Sequence, residues 1–208
     1  MNKIKYFVNG SRFKGSRIKV MKIIGFMDIE GIGGSGGIGG EEKCVEMVLS
    51  ADSAMLTGRK PYFLPEGSED VVYYPCLVVR ISRLGKTVAR KFASRYYDAV
   101  AEGADFVCRD WLKKARAEGH SWTEAVASDG SLAIGPWQAT DGNQENRNLE
   151  NQEIRNLENK AIIPIDEAIE RASRVMTIRQ GDLIYIHRRG EAISAVRGEQ
   201  TETGNRIC

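Results

Sequence analysis

Val71-Val72-Tyr73-Tyr74-Pro75-Cys76-Leu77-Val78-Val79-Arg80-Ile81 is β-branched and aromatic almost throughout, and Gly85-Lys86 supplies the turn that ends it. This is the strongest strand of the chain. Pro75 has no N–H to give to a ladder, so its place inside the run predicts an edge or a bulge there. Upstream, Lys19 to Asp28 reads as a second strand rich in Ile and Met, and it runs into ten residues, Gly31 to Gly40, of which seven are glycine. Glu41 to Leu56 has a weakly helical apolar spacing, and Pro61 and Pro65 bracket a short extended piece.

Downstream, Val88, Phe92, Tyr96 and Val100 recur at helical spacing and predict a helix over Val88 to Ala101, stopped by Gly103. Ala104 to Val107 reads as a short strand, Arg109 to Glu118 as a charged helix closed by Gly119, and Trp122 to Trp137 as loop-rich. Glu145 to Gln152 is repeated in Glu153 to Lys160, an almost wholly polar eight-residue unit. Two copies are too few to stack as a solenoid, which predicts a solvated excursion. Asp166 to Val175 predicts a short helix, and Asp182 to Ile186 a strand. Strand pieces with inserted helices and no regular βαβ rhythm predict an α+β, β-rich fold.

The domain organisation expected is a basic, disordered N-terminal extension over residues 1–20, followed by one domain over 21–208 with flexible insertions at 31–40 and 143–160. The 208 residues suit one large domain. Lys and Arg number 30 against 28 Asp and Glu, too balanced to favour a nucleic-acid partner. No stretch approaches the roughly 20 apolar residues of a spanning helix, so no membrane partner is expected. The head carries six basic residues and no acid in twenty positions, but its apolar run is broken by Lys5, which argues against a signal peptide. Met21-Lys22-Ile23-Ile24-Gly25 reads as the natural start. Cys44, Cys76, Cys108 and Cys208 are scattered, with only His120 and His187 to accompany them, so neither a zinc site nor a disulfide framework is expected. A cytoplasmic location follows as the default.

Gly31 to Gly36 matches G-x-G-x-x-G after a strand, the pattern of a phosphate cradle. In so glycine-rich a tract the match arises from composition, and no ribose-binding acid follows a second strand. A flexible loop is the plainer reading, with a nucleotide-binding module as an alternative.

Several segments, in this order and spacing, resemble the fumarylacetoacetate hydrolase family, in particular its short bacterial single-domain members. They are Ser50-Ala-Asp-Ser-Ala-Met-Leu56 before Lys60-Pro61, Leu77 to Ile81 with Gly85-Lys86, Ala93 to Val100, Gly103-Ala-Asp-Phe-Val-Cys-Arg-Asp110, Asp129-Gly-Ser-Leu-Ala-Ile-Gly-Pro-Trp137 and Ser173 to Asp182. The resemblance implies a mixed β-sandwich roll, usually dimeric. It also implies chemistry on 2-oxo or 1,3-dioxo acids by C–C hydrolysis, hydration, decarboxylation or isomerisation, with Mg²⁺ or Mn²⁺ held by a Glu-x-Glu pair and a later Asp. Residues i and i+2 of a strand share a face, so such a pair sets two hard oxygen ligands side by side.

In this chain the pair falls on Tyr74 and Cys76, and only Asp105 keeps a carboxylate. Glu69 and Asp70 lie in another register and read as surface acids. The lysine expected three residues before Asp129 is Val126, the loop histidine has no counterpart in Phe26-Met27-Asp28, and a Thr-Gly-Thr-Pro type turn is replaced by His187-Arg188-Arg189. The expectation is a family member with a degenerate metal site, non-catalytic or strongly altered, for which no catalytic residue and no cofactor is assigned. An active metal-dependent enzyme using substitute ligands is the alternative.

Residual cleft candidates are Arg109, Asp129, Gly135 and Pro136, with a small oxo-acid as the possible ligand. Asp105 reads as an acid near the start of the following helix, Arg109 and Asp110 as a structural pair, and His187 as a solvent-facing strand end. His120 reads as a loop residue. Cys76 has no neighbouring base to make it a thiolate and reads as packing.

Overall fold

The computed structural model describes residues 7–8, 11–12, 22–28, 45–140, 152–190 and 192–208. Near the N-terminus, β1 (Phe7–Val8) pairs antiparallel with β2 (Ser11–Arg12). The glycine tract and the first octapeptide as far as residue 151 lie outside the described residues.

Nine strands form one mixed sheet. They are β3 (Ile23–Met27), β4 (Glu46–Ser50), β5 (Met55–Thr57), β6 (Val71–Ile81), β7 (Tyr97–Cys108), β8 (Leu132–Ile134), β9 (Gln138–Ala139), β10 (Leu183–His187) and β11 (Ile193–Ser194). The main order is β4-β3-β10-β6-β7-β8-β5, with β11 on β6 and β9 on β7. β10 runs parallel to β3 but antiparallel to β6, and β5 runs parallel to β8. The helices are α1 (Arg109–Ala117), α2 (Thr123–Val126), α3 (Gln152–Lys160) and α4 (Ile165–Val175), so the fold is α+β and β-rich, a curled mixed sheet with few helices.

The alternation of β6 assigns the core. Leu77, Val79 and Ile81 pack with Ile184 and Ile186 of β10 beneath α4, while Val71 and Tyr73 join Phe106 and Tyr62 at the other end of the same strand face. Val72, Tyr74, Cys76 and Val78 point to the opposite face, where Tyr185, Leu132 and Leu112 complete the packing. Both faces of the strand are buried, which is why the run reads as continuously apolar.

Several elements differ from the sequence expectation. Val88 to Ala101 is not a helix. A 3₁₀ turn over Arg90–Arg95 gives way to β7, whose pairing with β6 runs from Tyr97 to Cys108. The long ladder outweighs the helical spacing, and Phe92 is left exposed with Lys91 and Arg95 over its ring. Glu46 to Thr57 forms β4, a 3₁₀ turn and β5, because β3 offers an open edge that β4 covers. Pro75 is not on an edge strand. Its carbonyl accepts from the Arg188 N–H at 2.9 Å, and β10 pairs up to Cys76 while β11 starts at Tyr73, so the missing N–H falls at the seam between them. The second octapeptide is helical in α3, and Leu157 is buried together with Ala161 one turn on, so that half of the repeat packs on the domain.

Two glycines admit the large side chains of the inner face. A Cβ on Gly25 would lie 2.2 Å from the Tyr185 ring, and one on Gly103 would lie 2.7 Å from Cys76 Sγ and 2.6 Å from Val78. At the mouth of β3 and β10, Asp182 is fully buried; it accepts from the Arg179 N–H at 2.7 Å and from Lys22 Nζ. Gly25→Ala is expected to destabilise the protein by about 1–3 kcal/mol through overpacking, and by less in a Tyr185→Leu background. Urea unfolding of the two pairs checks this; equal losses in both backgrounds would mean that Tyr185 is not what the glycine accommodates.

Candidate functional site

The register of β6 and β7 places Tyr74 opposite Asp105 and Cys76 opposite Gly103, and that of β10 places His187 opposite Cys76. Three strands therefore bring Tyr74, Cys76, Asp105 and His187 together on the inner face. Asp105 Oδ2 lies 2.9 Å from His187 Nε2, and both side chains are 1% exposed. When the carboxylate is ionised, the imidazole N–H donates. The Tyr74 ring stacks on the imidazole, with centroids 4.6 Å apart and planes 14° from parallel, and Tyr185 tilts toward it at 6.0 Å.

Burial sets the electrostatics. Desolvation raises the Asp105 carboxyl above the ordinary aspartate range, an effect opposed by the hydrogen bond and the charge of His187. Burial pushes the Cys76 thiol well above its usual range, with Asp105 adding to the shift, and does the same to the Tyr185 phenol. Tyr74 is also raised, mainly by desolvation and against the pull of Arg109. Around Asp105, then, two phenols and a thiol stay protonated at neutral pH. His187 Nδ1 and the Tyr185 hydroxyl are buried without a hydrogen bond of good geometry, although Tyr185 sits close enough to Asp105 to be coupled to its charge.

This overturns two sequence readings. His187 is not a solvent-facing strand end, because β10 runs one residue further than predicted and its alternation turns Leu183, Tyr185 and His187 to the interior. Asp105 does not owe its place to a helix terminus, since it lies within β7 and bonds across the sheet. The signal for His187 was present in the strand's period of two, but its partner lies 82 residues away and only the topology brings them together.

The other candidates lie elsewhere. Arg109 and Asp110 are not paired to each other. Arg109 Nε and Nη2 donate to the two Asp70 oxygens at 2.7 and 2.8 Å, and Asp110 accepts from the Ser68 hydroxyl at 2.7 Å and the Glu69 N–H at 3.0 Å. Asp70 is thus engaged rather than a free surface acid. Asp129 is exposed in the turn before β8, where Gly130 takes φ +72°. Gly135 and Pro136 follow β8, with the Gly135 N–H bonded to the Glu102 carbonyl at 2.9 Å. Arg188 is held between Glu202 at 3.2 Å and Glu102 at 3.7 Å, and His120 is exposed beside Glu118. Among the described residues, no three His, Cys, Asp or Glu side chains are grouped to hold a metal ion, and no helix is long and apolar enough to cross a membrane.

A family profile described as fumarylacetoacetate (FAA) hydrolase C-terminal matches residues 41–186. An uncharacterized protein of Pyrococcus abyssi is 29% identical over 143 residues, which are 65% of this chain and 64% of that protein. One of Pyrococcus horikoshii is also 29% identical over 143 residues, 65% of this chain and 62% of its own length, so the match spans less than two thirds of either relative. Among solved structures, a Yersinia pestis protein assigned to the fumarylacetoacetate hydrolase family superposes with a TM-score of 0.72 at 18% identity, covering 96% of this chain and 97% of that one. The fumarylpyruvate hydrolase of Pseudomonas aeruginosa, solved with Mn²⁺ and pyruvate, gives 0.68 at 18%, covering 94% of this chain and 88% of that one. At such identity the likeness is one of fold.

His187→Ala is expected to cost about 3–5 kcal/mol of stability, because it strands a buried carboxylate, and Asp105→Asn about 1–2 kcal/mol, because an amide carries no charge to strand. Denaturant titration of each variant measures this order; a reversed order would mean that the imidazole is the group that depends on its partner.

Proposed function

The chain belongs to the fumarylacetoacetate hydrolase family, and on that premise we propose that it is a non-catalytic or strongly altered member whose metal centre has been lost. One observation carries the reading: Asp105, the sole carboxylate among the three positions that the resemblance assigns to the metal, is buried and hydrogen-bonded to His187. The other two positions hold Tyr74 and Cys76, a phenol and a thiol that burial keeps protonated. A hard divalent cation takes six or more oxygen ligands, typically from carboxylates, carbonyls and water. These residues do not fit Mg²⁺ or Mn²⁺.

The alternative, an active enzyme with substitute ligands, is weakened because both oxygens of Asp70, one of the two acids offered as substitutes, are held by Arg109. A small oxo-acid ligand and a homodimeric state remain part of the proposal on the strength of the family resemblance, as does a cytoplasmic location. In this reading the domain acts as a binding or dimerisation module.

Titration calorimetry of the full chain with MnCl₂ and with MgCl₂ tests it. The expected result is no saturable uptake at micromolar metal. Uptake of one ion per chain that disappears in Asp105→Ala would restore the metal-dependent enzyme.

A further inference from the structure

We infer that the imidazole of His187 serves in place of a metal ion as the partner of Asp105, closing the inner face of the roll with a side-chain pair drawn from β7 and β10. The inference rests on the reading that this chain holds no divalent metal at Asp105, and goes beyond it by naming what stands there instead. Four observations converge on it. The hydrogen bond of 2.9 Å joins two side chains that are each 1% exposed, so neither is available to solvent. Tyr74, on one of the assigned ligand positions, lies flat against the imidazole, and Cys76, on the other, is the residue opposite His187 in the β6 ladder. The glycines that would otherwise leave space are filled: Tyr185 covers Gly25, and Cys76 with Val78 covers Gly103. Finally, the backbone beyond His187 is fixed, because the Arg188 N–H bonds the Pro75 carbonyl at 2.9 Å and the His187 carbonyl accepts from the Ile162 N–H at 2.9 Å.

The physical logic is that of a buried carboxylate, which needs either a cation or strong hydrogen-bond donors around it. A metal supplies the first from solution and can be removed. An imidazole on a neighbouring strand supplies the second permanently, at a distance set by the strand register, and its flat ring adds a stacking surface for Tyr74. The ring also fills volume. Its Nδ1 is buried with no hydrogen-bond partner among the described residues, so Asp105 is the only hydrogen-bond partner of the ring nitrogens there.

Chemical rescue tests the assignment. His187→Gly removes the ring and leaves a ring-sized space beside Asp105. Its melting temperature is expected to fall by about 10 °C, and free imidazole at millimolar concentration should recover several degrees of that loss. The same imidazole should not raise the melting temperature of the wild-type chain, nor that of Asp105→Asn/His187→Gly. Equal rescue with and without Asp105 would overturn the inference, since the ring would then be filling space and not partnering the carboxylate.

Should His187→Gly fail to fold, ¹⁵N-histidine NMR of the wild-type chain and of Asp105→Asn decides the question. A slowly exchanging, downfield Nε2 proton present in the first and shifted upfield in the second supports the pair. An Nε2 signal unchanged by Asp105→Asn rules it out. Either failure leaves the proposed loss of the metal centre standing, because that reading falls only to saturable metal uptake by the wild-type chain.

Discussion

The antiparallel ladder between β6 and β7 is the constraint from which the rest follows. It fixes Val71 opposite Cys108 and Val79 opposite Val100, with every intervening residue in one unbroken register. Because side chains alternate along a strand, that register decides at once which residues enter each core and which meet at the centre. A slip of β6 by one residue against β7 would send Tyr74 and Cys76 to the face away from Asp105 and put Tyr73, Pro75 and Leu77 in their place. The site positions and the hydrophobic cores are therefore specified by the same hydrogen bonds.

The second requirement is that β10 close against β6 on its other side. The parallel pairing with β3 and the antiparallel pairing with β6 hold β10 from both edges, and the buried Asp182, bonded to Lys22 and the Arg179 N–H, anchors its start. With that start fixed, His187 arrives beside Asp105 by counting two residues at a time along the strand. Gly25 has no side chain because the Tyr185 ring occupies the space. Large aromatic side chains thus fill a face on which the family resemblance implies a metal centre.

Much of this was legible in the sequence. The β-branched run from Val71 to Ile81 declares a strand buried on both faces, and the segments around Gly103 to Asp110 and Asp129 to Trp137 carry the family resemblance that the matched profile bears out. Legibility failed where tertiary pairing overrode local pattern. Val88, Phe92, Tyr96 and Val100 have helical spacing, yet β7 begins at Tyr97, because pairing with β6 offers more burial than a helix would. Leu157 sits in an almost wholly polar repeat, yet it is buried in the cluster that also holds Ile169 of α4 and Ile184 of β10. His187 was hidden for a different reason. Its neighbours Arg188 and Arg189 suggest solvent, whereas its environment is set by strand parity and by a partner far away in the chain.

The proposed loss of the metal centre requires that Asp105 be satisfied by a side chain and not by an ion. Crystals of the full chain grown with MnCl₂, with data collected at the manganese edge, address it at the atoms concerned. No anomalous peak is expected beside Asp105, with His187 Nε2 within hydrogen-bond distance of Oδ2. A manganese peak ligated by Asp105, with the imidazole turned away, would contradict it.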